Sequence, residues 1–149
     1  MIQRHQLFRH EPHNEIYGDC QRTAVACLLD IEPHRVPHFV QNHYTRPGYD
    51  WQAAMEDFLN QHGYTFTDVQ LNGEATLDEV LQTRTFFPDH YYILAGRSPR
   101  GTNHVVIGLG THIAWDPHPD GGGLIGPLDY GVWEMTFIQP LAMKLARAA

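Results

Sequence analysis

The order of secondary structure along the chain predicts an α+β domain. Helical periodicity dominates up to about residue 85, whereas the last third contains short apolar runs separated by Gly and Pro. Helices followed by strands favour antiparallel pairing over a parallel sheet with alternating helices. The chain has 149 residues and is 42% hydrophobic, which is enough for one core, so we expect a single domain over residues 1–149.

The first elements follow from caps and periodicity. Residues 1–15 lack a period and are predicted to form an irregular N-terminal arm. Gly18 and Asp19 supply turn and cap residues before a helix over residues 20–29. Prolines then frame a short second helix, predicted over residues 36–42.

The middle of the chain carries clearer signals. Asp50 caps a helix over residues 51–62, in which Trp51, Met55, Phe58 and Leu59 form the core face. Residues 64–71 have the composition of a strand. A capping box at residues 76–79 opens a helix to about residue 85.

The last third is predicted to be β-structure. The strand-like runs cover residues 91–95, 104–108, 112–116 and 132–138, and residues 140–149 form a C-terminal tail. The helix over residues 20–29 is expected to pack on this antiparallel sheet.

The charge and cysteine content limit the possible partners and location. A net charge of −7 and a pI of about 5.8 argue against binding to nucleic acid or to an anionic membrane. No signal-peptide core and no membrane-spanning run is visible, so we expect a cytoplasmic location. Cys20 and Cys27 would lie about 10 Å apart along one helix, so both are expected to be free thiols. The oligomeric state stays open.

Cys20 is the first candidate for chemistry because it opens the first predicted helix. The N-terminus of a helix carries about half a positive charge and unpaired N–H groups, which favour a thiolate and can hold an oxyanion. A buried, inert cysteine is the simpler interpretation unless a base lies nearby. Cys27, on the same helix, is interpreted as a core residue.

A predicted hairpin centred on Gly110 supplies that base. In this register Val105 faces Trp115 and Ile107 faces Ile113, on a face that we expect to be core. His104 then faces Asp116 on the other face, where small residues leave room for the Cys20 helix. An imidazole oriented by a carboxylate is what a thiol nucleophile needs. Either residue alone could be structural, with Asp116 simply starting a turn before Pro117.

The three segments together resemble the papain-like cysteine peptidases. They are Asp19-Cys20-Gln21-Arg22-Thr23-Ala24, Asn103-His104-Val105-Val106-Ile107 and Trp115-Asp116-Pro117. The likeness is to small prokaryotic and phage-type domains similar to the bacteriocin-processing peptidases, and it spans about residues 14–118. It implies a papain-like fold in which Cys20 is the nucleophile, His104 the base and acid, and Asp116 the orienting group, with no cofactor.

The resemblance also directs attention to an oxyanion hole. Papain-like enzymes usually carry a Gln about six residues before the nucleophile, and Asn14 stands at that position here. Asn14 and Gln21 are therefore the candidate oxyanion donors. The loop after Asp116 should border the cleft, with His118, Gly121 and Gly122 as its candidate residues.

Histidines at positions 34, 38, 43, 112 and 118 raise the question of a metal site. No HExxH or paired CxxC motif occurs, so we expect no dedicated metal site.

The sequence thus predicts a thiol hydrolase acting on an amide, isopeptide or thioester bond of a peptide or small substrate. Two alternatives stay open. The same triad could transfer an acyl group to an amine instead of water, and a phage or mobile-element module could use the fold to bind a peptide without turnover.

Overall fold

The computed structural model describes residues 1–142 and has the predicted α+β class. Four α-helices and five strands lie within those residues. The helices are α1 (Cys20–Leu29), α2 (Phe39–Thr45), α3 (Trp51–Gln61) and α4 (Leu77–Gln82), and the strands are β1 (Tyr64–Asn72), β2 (Tyr91–Arg97), β3 (Asn103–Leu109), β4 (His112–Trp115) and β5 (Val132–Pro140). No helix in this part of the chain is both long and apolar enough to cross a membrane.

Most predicted elements occur at or close to their predicted positions. Helix α4 begins with the predicted capping box, because Thr76 Oγ1 accepts from Glu79 N and the Glu79 carboxylate accepts from Thr76 N. The second helix was predicted too early. Val36 stands before a proline and is extended, so α2 starts only after His38, whose ring caps Gln41 N.

All five strands form one antiparallel sheet in the order β1-β5-β2-β3-β4. One face carries Ile93, Val105 and Ile107 and is covered by α1, α2 and α3. We call it the helix face. On the opposite face, α4 packs with Tyr92, Trp133 and their neighbours. Helix α1 therefore packs on the Val105 and Ile107 side, and the prediction that it uses the other side of the hairpin is wrong.

The N-terminal arm is irregular but tightly attached. Ile2 N donates to Cys27 O on α1, and Gln6 N donates to Pro117 O after β4 at 2.8 Å. Trp115 Nε1 donates to Arg4 O at 2.8 Å. The arm thus connects the Cys20 helix to the segment that carries Asp116.

At the other end, β5 runs to Pro140, so the predicted tail begins within the last strand. Residues 143–149 of that tail lie outside the described part of the chain.

The β3-β4 hairpin differs from the predicted register. Next to the turn, Leu109 pairs with His112 and Gly108 with Ile113, but Ile107 pairs with Trp115 because a bulge intervenes. Ile113 consequently packs in the core of the opposite face, with Val106, and not beside Ile107. The predicted pairing of four large residues on one face was therefore wrong in detail.

Candidate active site

Cys20 opens α1 and is half-buried. Asp19 occupies the N-cap position, but its side chain does not cap the helix as predicted. Instead the buried Asp19 carboxylate accepts from Phe8 N at 2.8 Å and pairs with Arg22 Nε at 3.0 Å. The negative charge next to the thiol is thereby compensated, and the first N–H groups of α1 remain uncapped beside Cys20.

His104 and Asp116 are in direct contact. The distance between His104 Nε2 and Asp116 Oδ1 is 2.7 Å, and His104 is only 4% exposed. The bulge makes this contact possible. Continuing the register at the turn would place Asp116 opposite Val105, on the wrong face, whereas the shifted register places it opposite Val106 and diagonal to His104.

The protonation of His104 reflects both of its neighbours. Burial is the largest single influence on its pKa and lowers it, but hydrogen bonding to Asp116 and to the Cys20 thiol outweighs burial and raises the pKa to about 9. Because Nε2 is hydrogen-bonded to Asp116, Nδ1 is the ring nitrogen that can interact with other groups. These contacts favour the imidazolium form of His104, which has a carboxylate on one side and the Cys20 thiol on the other.

The loop after β4 holds the carboxylate of Asp116. His118 N donates to Oδ1 at 2.9 Å and Gly123 N donates to Oδ2 at 2.8 Å. Burial alone would raise the pKa of Asp116, but the hydrogen bonds from His104 and from these two backbone N–H groups lower it below its usual value. Asp116 therefore stays ionised and fixed in one orientation.

Two clefts meet at the Cys20-His104 pair, and both are also lined by Val40 and Asn103. We call the first the polar cleft. It has a volume of about 280 Å³ and is lined by Gln6, Arg9, His10, Glu11, Arg100 and His118, among others. We call the second, of about 200 Å³, the apolar cleft. A substrate lying across the pair would thus meet different chemistry on its two sides.

Of the three predicted loop residues, one lines a cleft and two do not. His118 is buried, lines the polar cleft, and has its ring 6.0 Å from that of His104, centroid to centroid. Gly121 and Gly122 do not line either cleft. Gly121 O accepts from Arg100 Nη1, and both glycines have positive φ, so they turn the loop back toward Asp116.

The structure places Asn14 away from both clefts. Asn14 is exposed in a short 3-10 turn (Pro12–Asn14), and its amide contacts Glu11. Gln21 does line the apolar cleft, but its amide nitrogen points to Met55 Sδ at 3.8 Å.

A different glutamine occupies the site. Gln6, in the N-terminal arm, is 7% exposed and lines the polar cleft with Cys20 and His104. Its Nε2 donates one hydrogen to Phe8 O at 2.6 Å, which leaves the second hydrogen of the amide for another acceptor. Its Oε1 is buried without a partner in the described chain. No spacing rule identifies Gln6, since it lies fourteen residues before Cys20.

The second cysteine and His38 lie in packed or hydrogen-bonded positions. Cys27 is fully buried, and burial raises the pKa of its thiol. Within residues 1–142 no three His, Cys, Asp or Glu side chains converge as they would around a metal ion. His38, for example, uses its ring nitrogens on Tyr17 O and Gln41 N.

Comparisons with known proteins identify no relative from which this site could be interpreted. No protein-family model, no curated protein and no solved structure matches the chain. The function of the chain is therefore inferred from the residues of the site itself.

Proposed function

We propose that this protein is a papain-like cysteine hydrolase that cleaves an amide, isopeptide or thioester bond. One observation carries the proposal: the buried His104 ring contacts the Asp116 carboxylate at 2.7 Å and also hydrogen-bonds to the Cys20 thiol at the start of α1. A structural histidine needs only one such partner, whereas acyl transfer by a thiol requires both.

The proposed reaction uses the Cys20 thiolate as nucleophile. Its sulfur attacks the substrate carbonyl carbon, and the carbonyl π electrons move to oxygen to give a tetrahedral oxyanion. The oxyanion collapses, His104 transfers its proton to the departing amine or thiol, and a thioester remains on Cys20. His104, now neutral, takes a proton from water, which attacks the thioester and releases the acid. Asp116 keeps the ring oriented and stabilises the imidazolium throughout.

The oxyanion requires donors near the start of α1. The uncapped backbone N–H groups at Cys20 supply one set. We assign the second donor to the free amide hydrogen of Gln6, which lines the cleft with Cys20 and His104. Gln6 replaces Asn14 in this role because Asn14 lies outside the clefts.

Alkylation by iodoacetamide tests the proposal without a known substrate. Cys20 should be alkylated much faster than Cys27, because an adjacent imidazolium favours the reactive thiolate. Cys27 is the internal control, since it is buried and its thiol pKa is raised. His104→Gln should remove this fast reaction while circular dichroism reports an intact fold. Equal and slow labelling of the two cysteines, measured by mass spectrometry, would refute the proposal.

A further inference from the structure

The apolar cleft is a small pocket on the helix face, directly beside Cys20 and His104. Its walls are mostly aromatic and aliphatic, and they include Phe39, Tyr44, Trp51, Val105, Leu128 and Tyr130. Its volume of about 200 Å³ is below that of a typical small-molecule site. A pocket of this size, next to a nucleophile, suits one side chain of a substrate.

A carboxylate lies in this apolar cleft. Glu134 on β5 pairs across the sheet with Ala95, which packs against the core of the helix face, so Glu134 projects from that same face. The side chain is partly buried, and the Tyr130 hydroxyl donates to Glu134 Oε2 at 3.4 Å. Glu134 thus belongs to the lining of the cleft and not to the outer surface.

No cationic side chain forms an ion pair with the Glu134 carboxylate in the described part of the chain. Within residues 1–142 no Lys or Arg lines the apolar cleft. The ionisable residues there, besides Cys20, His104 and Glu134, are His43, Tyr44 and Tyr130. Burial raises the pKa of Glu134, and the neighbouring charge of Asp68 raises it further. The cleft by itself therefore disfavours the ionised carboxylate, and a bound cation would stabilise it.

We propose that the apolar cleft binds a lysine or arginine side chain of the substrate, adjacent to the scissile bond, and that Glu134 determines this specificity. The inference rests on the proposed function and names its substrate class. The methylene stem packs against apolar walls such as Phe39 and Leu128. The cationic head meets Glu134 and the aromatic faces of Trp51 and Tyr130. A neutral side chain of equal length would bury the Glu134 carboxylate without a cation to balance its charge.

A pair of irreversible probes separates charge from shape. The probes are the chloromethyl ketones of Nα-acetyl-lysine and Nα-acetyl-norleucine, so the side chain of each amino acid is free. Both side chains have the same four-carbon stem, and only the lysine side chain ends in an ammonium group. With each probe, the Cys20 sulfur displaces chloride to form a thioether, which mass spectrometry locates and times. The lysine probe should react about tenfold faster, which corresponds to one partly exposed ion pair.

Two variants assign the preference to Glu134. Glu134→Gln keeps the size of the side chain and an acceptor for Tyr130, and should bring the two probe rates together. Glu74→Gln is the matched control, because Glu74 is an exposed carboxylate outside both clefts, and it should keep the wild-type ratio. Equal rates in the wild type, or a lysine preference that survives Glu134→Gln, would overturn the inference.

Iodoacetamide distinguishes this failure from that of the proposed function, since it carries no side chain for the cleft to recognise. Fast labelling of Cys20 by iodoacetamide with equal probe rates overturns only the specificity. Slow labelling that matches Cys27 overturns both.

Discussion

The charge of Asp116 controls the protonation of His104, and Asp116→Asn removes that charge with little change of shape. An asparagine Oδ1 can still accept from His104 Nε2, so the ring keeps a partner at the same place. What the variant loses is the negative charge, together with the acceptor that Oδ2 provides to Gly123 N.

The size of the expected change in the pKa of His104 follows from the environment of its ring. Its pKa is about 9 against an ordinary 6.5, a difference equivalent to about 3 kcal/mol. The hydrogen bond to Asp116 is the largest of the influences that raise this pKa, and the hydrogen bond to the Cys20 thiol comes next. Asp116→Asn should therefore lower the pKa of His104 by at least about one unit, or about 1.4 kcal/mol.

The same shift makes stability depend on pH. Because the pKa of His104 is higher in the folded state than in the unfolded state, protonation stabilises the fold fully below about pH 6.5. This contribution is lost as the pH rises through about 9. The free energy of unfolding in urea should accordingly fall between these values by less in Asp116→Asn than in the wild type.

The assay is an NMR titration of histidine-labelled protein from about pH 5 to about pH 10, which brackets both pKa values. His104→Gln identifies the His104 resonance by its disappearance. Asp120→Asn is the control, because that exposed carboxylate lies in the same loop but pairs with Arg9. A His104 midpoint that stays at its wild-type value in Asp116→Asn would refute this account of the site.

Two further predictions concern the N-terminal arm. Gln6→Met should slow hydrolysis of an activated thioester by roughly 10²- to 10³-fold, because methionine has a similar size but cannot donate to the oxyanion. Since methionine adds no charge beside the thiol, alkylation of Cys20 by iodoacetamide should keep its wild-type rate. Asn14→Ala should alter neither rate, and a Gln6→Met variant that hydrolyses the thioester at the wild-type rate would exclude Gln6 as donor. Asp19→Ala should lower the free energy of unfolding in urea by about 3–5 kcal/mol, because it leaves the Arg22 guanidinium, 11% exposed, and Phe8 N without their partner; a change near zero would contradict the buried ion pair.

Local signals in the sequence were sufficient for most secondary structure. Helix α1 spans its predicted residues, α3 ends one residue early, and the Thr76 capping box is present. These features depend on contacts within a few residues, such as a side chain that accepts from an N–H three positions on. Asp19 was the exception, because its carboxylate accepts from Phe8 N in the distant N-terminal arm and pairs with the Arg22 side chain, and it does not accept from a helix N–H group.

The register of the strands was harder to predict from the sequence than the secondary structure. The pattern of apolar residues placed His104 and Asp116 near each other, but it did not reveal the bulge between Ile107 and Gly108. At Gly108 a side chain would collide with the Tyr92 ring, which belongs to another strand. Contacts of this kind are set by the assembled sheet, so the hairpin sequence alone cannot specify them.

The sequence by itself determined the α+β class, the helix that presents Cys20, and the hairpin that carries His104 and Asp116, because caps, periodicity and turns act over short distances. Only the tertiary structure decided that Gln6 instead of Asn14 borders the thiol, and that Glu134 lies in the apolar cleft beside it. Both residues reach the site through the path of the N-terminal arm and the pairing of β5 with β2. That placement follows from packing between distant segments, which no local pattern encodes.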